Sequence, residues 1–262
     1  KARTTKAHDL SKKEQKIVKH HLLDVCSPKK IFTAENFKNL GEKAIKEISA
    51  RNKIPIIVGG TGFYIDILLG RMSTAPVPPN PKLRAKLEEQ TAEQLYSRLL
   101  ALDFQRAQSI DRHNKRHLIR AIEIVISTGK PVPIYNLKPK TYNILWIGLS
   151  PGGLNEKIKK RLNVRLEQGM IKEVQRLHKQ GVSWKRLNDL GLEYRSISKY
   201  LRTYRLSAID YGHFIKSEFY KKLLRDIIRY SKRQMTWFKK NKDINWIKSF
   251  DEVIKITRKE LK

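Results

Sequence analysis

The chain has 262 residues, 40% of them hydrophobic, which suffices for one large domain or one domain carrying a smaller one and is too apolar for wholesale disorder. Its 56 Lys and Arg against 25 Asp and Glu leave a formal charge of +31, so the first partner class is nucleic acid and the second an anionic membrane surface, against a plainly basic composition with no polyanion. A single cysteine, Cys26, excludes an intrachain disulfide framework and a thiolate zinc cluster; no apolar run reaches membrane-spanning length and no signal peptide is visible, which fits a reducing cytoplasm.

Residues 1–19 read as basic loop and exposed helix, and "HHLLDV" (20–25) as a short buried strand. Thr33 is an N-cap candidate for a helix with Phe37, Leu40, Ala44 and Ile48 on its apolar face. "IPIIV" (54–58) reads as the next strand, and strand, helix, strand at this spacing predicts a βαβ unit of a parallel sheet. "APVPPNP" (75–81) stops the pattern, and 77–114 follows as a small helical insertion hinged on those prolines. A firmer helix spans 114–131, with Leu118, Ile122 and Val125 buried and Gly129 at its end. "YNILWIGL" (142–149) reads as a third strand, and helices are expected over 153–180, 193–203 and 210–242, with a short tail. The predicted architecture is therefore α/β, with a core of 1–76 and 115–262 and an insertion of 77–114.

Four constellations carry chemistry. "GGTG" (59–62) joins a strand to a helix: Gly59, Gly60 and Gly62 allow positive φ and close backbone approach, and Thr61 adds a hydroxyl. An anion or a polar ligand edge fits there; so does a tight turn whose glycines only relieve sterics. The pattern is neither a dinucleotide fingerprint nor a P-loop. "RHLIRAIE" puts Arg116 and Arg120 four residues apart on one helix face with Glu123 a turn further. That face suits phosphates or bases, or it is a solvated face with one Arg–Glu pair. "KKLLRDIIRYSKRQMTWFKK" (221–240) lines up Lys222, Arg225, Arg229, Lys232, Thr236 and Lys240 as a basic stripe, with Gln234 turned inward and Trp237 placed either to stack on a base or to pack in the core. In "DLGLEYRSISKY", Arg195 falls in the first turn of a helix after Gly191, where a guanidinium opposes the dipole unless an anion joins it or the side chain reaches solvent.

Taken in order, "HHLLDV", "IPIIVGGTGFYIDILLG", "NPKLRAKLEE", "IRAIEI", "GLEYR" and "KRQMTWF" resemble the tRNA dimethylallyltransferase (tRNA isopentenyltransferase) family from about residue 20 to 246. The resemblance implies a P-loop-NTPase-like parallel core with a helical insertion and a helical C-terminal part. It implies transfer of a dimethylallyl group from dimethylallyl diphosphate to N6 of the adenine 3′ of the anticodon, position 37, with Mg2+ as cofactor. Partners would be the tRNA anticodon stem-loop and the diphosphate donor, with no membrane and a monomeric enzyme. Carried over, Thr61 lies beside the reacting adenine within the turn of Gly59, Gly60 and Gly62, and Arg195 lies near the diphosphate. Arg84, Arg116, His117 (where many members have Arg) and Arg120 would contact tRNA, as would Lys232, Arg233, Gln234 and Trp237. The family's opening strand, P-loop and Asp-Ser-x-Gln block do not occur before "HHLLDV". The expectation is thus a chain lacking its N-terminal P-loop segment and inactive by itself. The alternatives are a catalytically inactive tRNA-binding protein and a P-loop nucleotide kinase relative.

Overall fold

The computed structural model describes residues 17–133, 142–204 and 211–260; most of the basic N-terminal stretch lies outside the described residues. The chain separates into two compact units, one drawn from residues 1–68 and 141–262, the other from 69–140. In the first unit, helix α1 (Ala34–Ser49) starts where the sequence places it. The Thr33 hydroxyl accepts from the Asn36 N–H and the Asn36 side chain accepts from the Thr33 N–H, a reciprocal capping box. Gly41 lets α1 come close to α2 (Gly62–Leu68): a Cβ there would meet Leu68 Cδ1 at 2.8 Å.

The unit within 69–140 consists of α3 (Pro81–Glu88), α4 (Ala92–Leu102), α5 (Phe104–Ser109) and α6 (Lys115–Thr128). Each has a side-chain N-cap, from Asn80, Thr91, Asp103 and Asn114 in turn, and Gly129 at φ 65° closes α6. Leu87, Leu95, Leu99 and Ala107 pack on Leu118, Ile119, Ala121 and Ile122 in one core. That shared core groups α6 with the helices of 77–114, a wider unit than the prolines alone delimit. Asp103 adds a staple: Oδ1 caps α5 through the Arg106 N–H, and Oδ2 accepts from the Val132 N–H at 2.7 Å.

The remainder of the first unit runs β1 (Ile147–Leu149), α7 (Leu154–Glu167), α8 (Met170–Lys179), α9 (Trp184–Asp189), α10 (Leu192–Tyr204), α11 (Tyr211–Ile215), α12 (Glu218–Phe238), β2 (Asn245–Ile247) and α13 (Phe250–Glu260). Its core joins Leu162 and Leu166 of α7, Val174 and Leu177 of α8, Ile197 and Tyr200 of α10, Phe214 of α11, and Leu223 of α12. Strands β1 and β2 pair in parallel, Ile147 opposite Asn245 and Leu149 opposite Ile247.

The strand expectations need correcting. Neither 20–25 nor 54–58 is a strand: β1 and β2 form the single sheet among the described residues. Leu22 at φ 61° and Asp24 at φ 52° turn the first segment through the left-handed region, which ends an extended run. The second lacks a ladder partner among the described residues and exposes its apolar side chains, Ile56 at 81% and Val58 at 75%. The third strand is real but covers only 147–149. The helix expected over 153–180 breaks where Gly169 takes φ 95°, and the one over 210–242 breaks before Ser217, which caps α12. The fold is therefore mostly helical with a small parallel sheet.

Candidate functional site

The GGTG turn and α12 meet within the first unit. Three residues of α12, spaced i, i+4 and i+7, read the turn along one helix face. Tyr230 Oη lies 3.4 Å from Thr61 Oγ1. Gln234 Nε2 donates to the Gly60 carbonyl at 2.6 Å. Trp237 Nε1 donates to Asp66 Oδ2 at 2.9 Å.

The glycines serve this meeting by their size. None of Gly59, Gly60 and Gly62 has a positive φ, so the torsional freedom expected of them is unused. A Cβ on Gly60 would run into the Gln234 amide, and one on Gly62 into the Trp237 ring. Gly59 has ordinary room, its would-be Cβ lying 3.4 Å from Ile65 Cδ1. Gln234 points inward as its face predicts, and the Gly60 carbonyl is its partner. Trp237 has its ring on Gly62 and its N–H on Asp66, and it stays 38% exposed, so it is neither a core residue nor a free platform. Around the turn, Tyr64 lies 5.2 Å from Phe37 ring to ring, and burial, with the neighbouring Tyr230 phenol second, pushes the Tyr64 phenol up. Arg233 sits over the Tyr230 ring, 5.6 Å from its centroid. Thr61, Lys232 and Arg233 are exposed.

A second cluster lies inside the 69–140 unit. Glu123 is fully buried and takes four donors, two on each oxygen. Oε1 accepts from the Asn80 N–H at 2.6 Å and from Arg84 Nε at 2.8 Å. Oε2 accepts from Arg84 Nη2 at 2.7 Å and from Arg120 Nη1 at 2.5 Å. Arg120 Nη2 continues to the Val77 carbonyl at 2.8 Å and the Ala75 carbonyl at 3.3 Å. Burial pushes the Glu123 carboxyl up, but the hydrogen bonds from Arg84, the Asn80 N–H and Arg120 together outweigh it and hold it at about 2. So two arginines expected to contact tRNA spend much of their hydrogen-bonding capacity on one carboxylate and on the proline-rich strap of 75–80. Arg116 and His117 are exposed on the first turn of α6, where the His117 N–H is capped by Asn114 Oδ1 at 3.3 Å.

Arg195 belongs to neither cluster. It is exposed in the first turn of α10, and its Nε donates to the Asn188 carbonyl of α9 at 3.0 Å, which partly offsets the unfavourable dipole end. Sequence reasoning missed Tyr230, Asp66 and the depth of Glu123. The 230, 234, 237 spacing was the available signal for Tyr230. No group of three or more His, Cys, Asp or Glu side chains among the described residues is placed to hold a cation. No helix among the described residues is long and apolar enough to cross a membrane.

Residues 5–241 match the model of the IPP transferase family. The chain belongs to that family. It is 35% identical over 257 residues to the tRNA dimethylallyltransferase of Acetivibrio thermocellus, covering 94% of this chain and 79% of the relative. It is 36% identical over 245 residues to tRNA dimethylallyltransferase 2 of Treponema denticola, covering 90% and 79%. Among solved structures, the full-length tRNA isopentenylpyrophosphate transferase of Bacillus halodurans superposes with a TM-score of 0.62 at 26% identity, over 96% of this chain and 80% of that one. A eukaryotic dimethylallyltransferase solved acting on tRNA gives a TM-score of 0.67 over 91% of this chain and 62% of that one; at 20% identity this likeness concerns the fold. The likeness thus extends over most of the chain both in sequence and in fold.

Proposed function

We propose that this family member is a tRNA dimethylallyltransferase working in the cytoplasm as a monomer. It takes dimethylallyl diphosphate as donor and N6 of the adenine 3′ of the anticodon as acceptor. The observation that carries this reading is the docking of α12 on the GGTG turn, which puts the exposed Thr61 hydroxyl against a helix whose other faces expose the basic residues Arg229, Lys232 and Arg233. A polyanion can lie along that helix while a base turned out of its stack reaches Thr61.

In the reaction so read, the N6 lone pair forms a bond to the allylic carbon and the carbon–oxygen bond to diphosphate breaks. The electron pair leaves with diphosphate, and the proton shed by N6 passes to a base. Thr61 orients N6 or the base that receives the proton. Arg195 belongs near the leaving group, where negative charge grows and a cation stabilises the transition state. A Mg2+ held through the diphosphate oxygens would add to that charge neutralisation. A P-loop-type core is the finer fold assignment that goes with this chemistry.

The test is transfer itself. The product of the whole gene is incubated with dimethylallyl diphosphate, Mg2+ and unmodified tRNA, and the tRNA is digested to nucleosides. The expected result is an adenosine heavier by one dimethylallyl group, located beside the anticodon. RNA binding with no modified nucleoside would instead identify a non-catalytic tRNA-binding protein.

A further inference from the structure

We infer that Tyr230 is a positioning residue for the Thr61 hydroxyl, fixing the direction in which that hydroxyl meets the substrate. Resting on the transfer reading above, this assigns a role to a residue outside the set that the sequence points to. The turn is held at three places by one face of α12, and two of them are fixed by backbone or carboxylate. Gln234 holds the Gly60 carbonyl at 2.6 Å and Trp237 holds Asp66 at 2.9 Å. Between these, Tyr230 Oη is the group 3.4 Å from Thr61 Oγ1.

A threonine hydroxyl has one proton and two lone pairs, and it rotates to suit its surroundings. On an exposed turn it would sample several orientations. A neighbouring phenol removes that freedom. The phenol is the more acidic of the two, so it donates and the Thr61 oxygen accepts. The Thr61 proton is then directed away from α12, towards a nitrogen or oxygen acceptor in front of the turn. The phenol is itself held: Tyr230 is half-buried and its ring lies under the Arg233 guanidinium, 5.6 Å from the centroid. A separation of 3.4 Å is long for a bond between two hydroxyls, and such contacts shorten when substrate closes the site.

The experiment is a cycle of Tyr230→Phe, Thr61→Ala and the double variant in the whole gene product. It reads single-turnover transfer at saturating anticodon stem-loop and, separately, equilibrium binding of the stem-loop. Tyr230→Phe keeps the ring and its cation contact and loses only the hydroxyl. It should slow the single-turnover rate about three- to tenfold, the worth of one ordinary hydrogen bond, with stem-loop affinity unchanged. Because Tyr230 acts through Thr61, the double variant should be no slower than Thr61→Ala alone. A merely structural tyrosine would lower affinity and rate together. If Tyr230→Phe turns over at the wild-type rate, or if its defect multiplies with that of Thr61→Ala, the assignment is overturned while the transferase reading stands. If the wild-type protein transfers nothing, the transferase reading falls, and the role of Tyr230 falls with it.

Discussion

Glu123 has no exposed surface, yet it carries a charge that two arginines and a backbone N–H all address. Its carboxyl is held at about 2, down from an ordinary value of 4.5. A depressed carboxyl stabilises the fold above its unfolded value, and that contribution disappears as pH falls through the folded one. The window is therefore about pH 4.5 down to about 2, and over it the 69–140 unit should lose on the order of 3 kcal/mol. Removing one member of a buried pair usually costs about 3–5 kcal/mol because the other charge is stranded. Here the stranded groups, Arg84 and Arg120, keep 39% and 32% side-chain exposure and can turn to water. Glu123→Gln should accordingly cost at most about 3 kcal/mol at neutral pH. Urea unfolding of wild type and variant at pH 7, 4 and 2 would show the gap closing as pH falls. A gap that persists at pH 2 would mean that the amide is disfavoured for its shape and not for its missing charge. Arg120 shares this network. Arg120→Ala is thus expected to loosen the strap at Ala75 and Val77, so any loss of RNA binding should come with lower stability of the unit.

At the scale of elements, α12 and the GGTG turn depend on each other through missing side chains. Gly62 is the first residue of α2, and alanine in a helix is normally favoured over glycine by about 1 kcal/mol. If Gly62 were there only for backbone freedom, Gly62→Ala would stabilise the protein. Its Cβ would instead meet the Trp237 ring and push Nε1 from Asp66. Overpacking of this kind costs about 1–3 kcal/mol, so the sign of the change in melting temperature decides between the two roles. A lower value in Gly62→Ala, relieved when Trp237 is also made smaller by Trp237→Leu, is expected. The same contrast explains what could be read from the sequence. The Thr33 cap was legible, because with Asn36 it acts within one turn of chain. The basic stripe was legible because helical periodicity is local. The glycines' reason was not, because Gly60 and Gly62 make room for residues more than 170 positions away. The strands at 20–25 and 54–58 were misread for a related cause. An apolar run has strand propensity, but a strand exists only when another supplies the ladder, and β1 found its partner in Asn245–Ile247, whose short polar flanks gave no pattern to see.

At the scale of the whole molecule, +31 is a charge that folding does not use. Part of it is locally neutralised even on the basic helix, where Lys221 pairs with Glu218 at 2.7 Å and Lys222 with Asp226 at 3.5 Å. Arg225, Arg229, Lys232, Arg233, Lys239 and Lys240 remain exposed along the rest of α12 and its end, so about six phosphates could be met by this one line of charge. Counterion release then sets the salt dependence. With about six contacts the logarithm of the binding constant should fall against the logarithm of salt with a slope of about −4 to −5, and affinity for a stem-loop should drop about 10³-fold between 50 and 200 mM salt. The prediction distinguishes a line from a diffuse excess. Exchanging Arg229 and Lys232 together for glutamine removes two charges of 56. If binding followed net charge alone, that would hardly register. If phosphates lie along α12, the slope should flatten by about 1.5 to 2, with similar losses on unrelated stem-loops, because phosphate contacts position a nucleic acid without reading its sequence. Binding titrations of wild type and the double variant across that salt range measure both quantities. An unchanged slope in the variant would move the interface off this helix, and with it the route proposed above for a flipped adenine to Thr61.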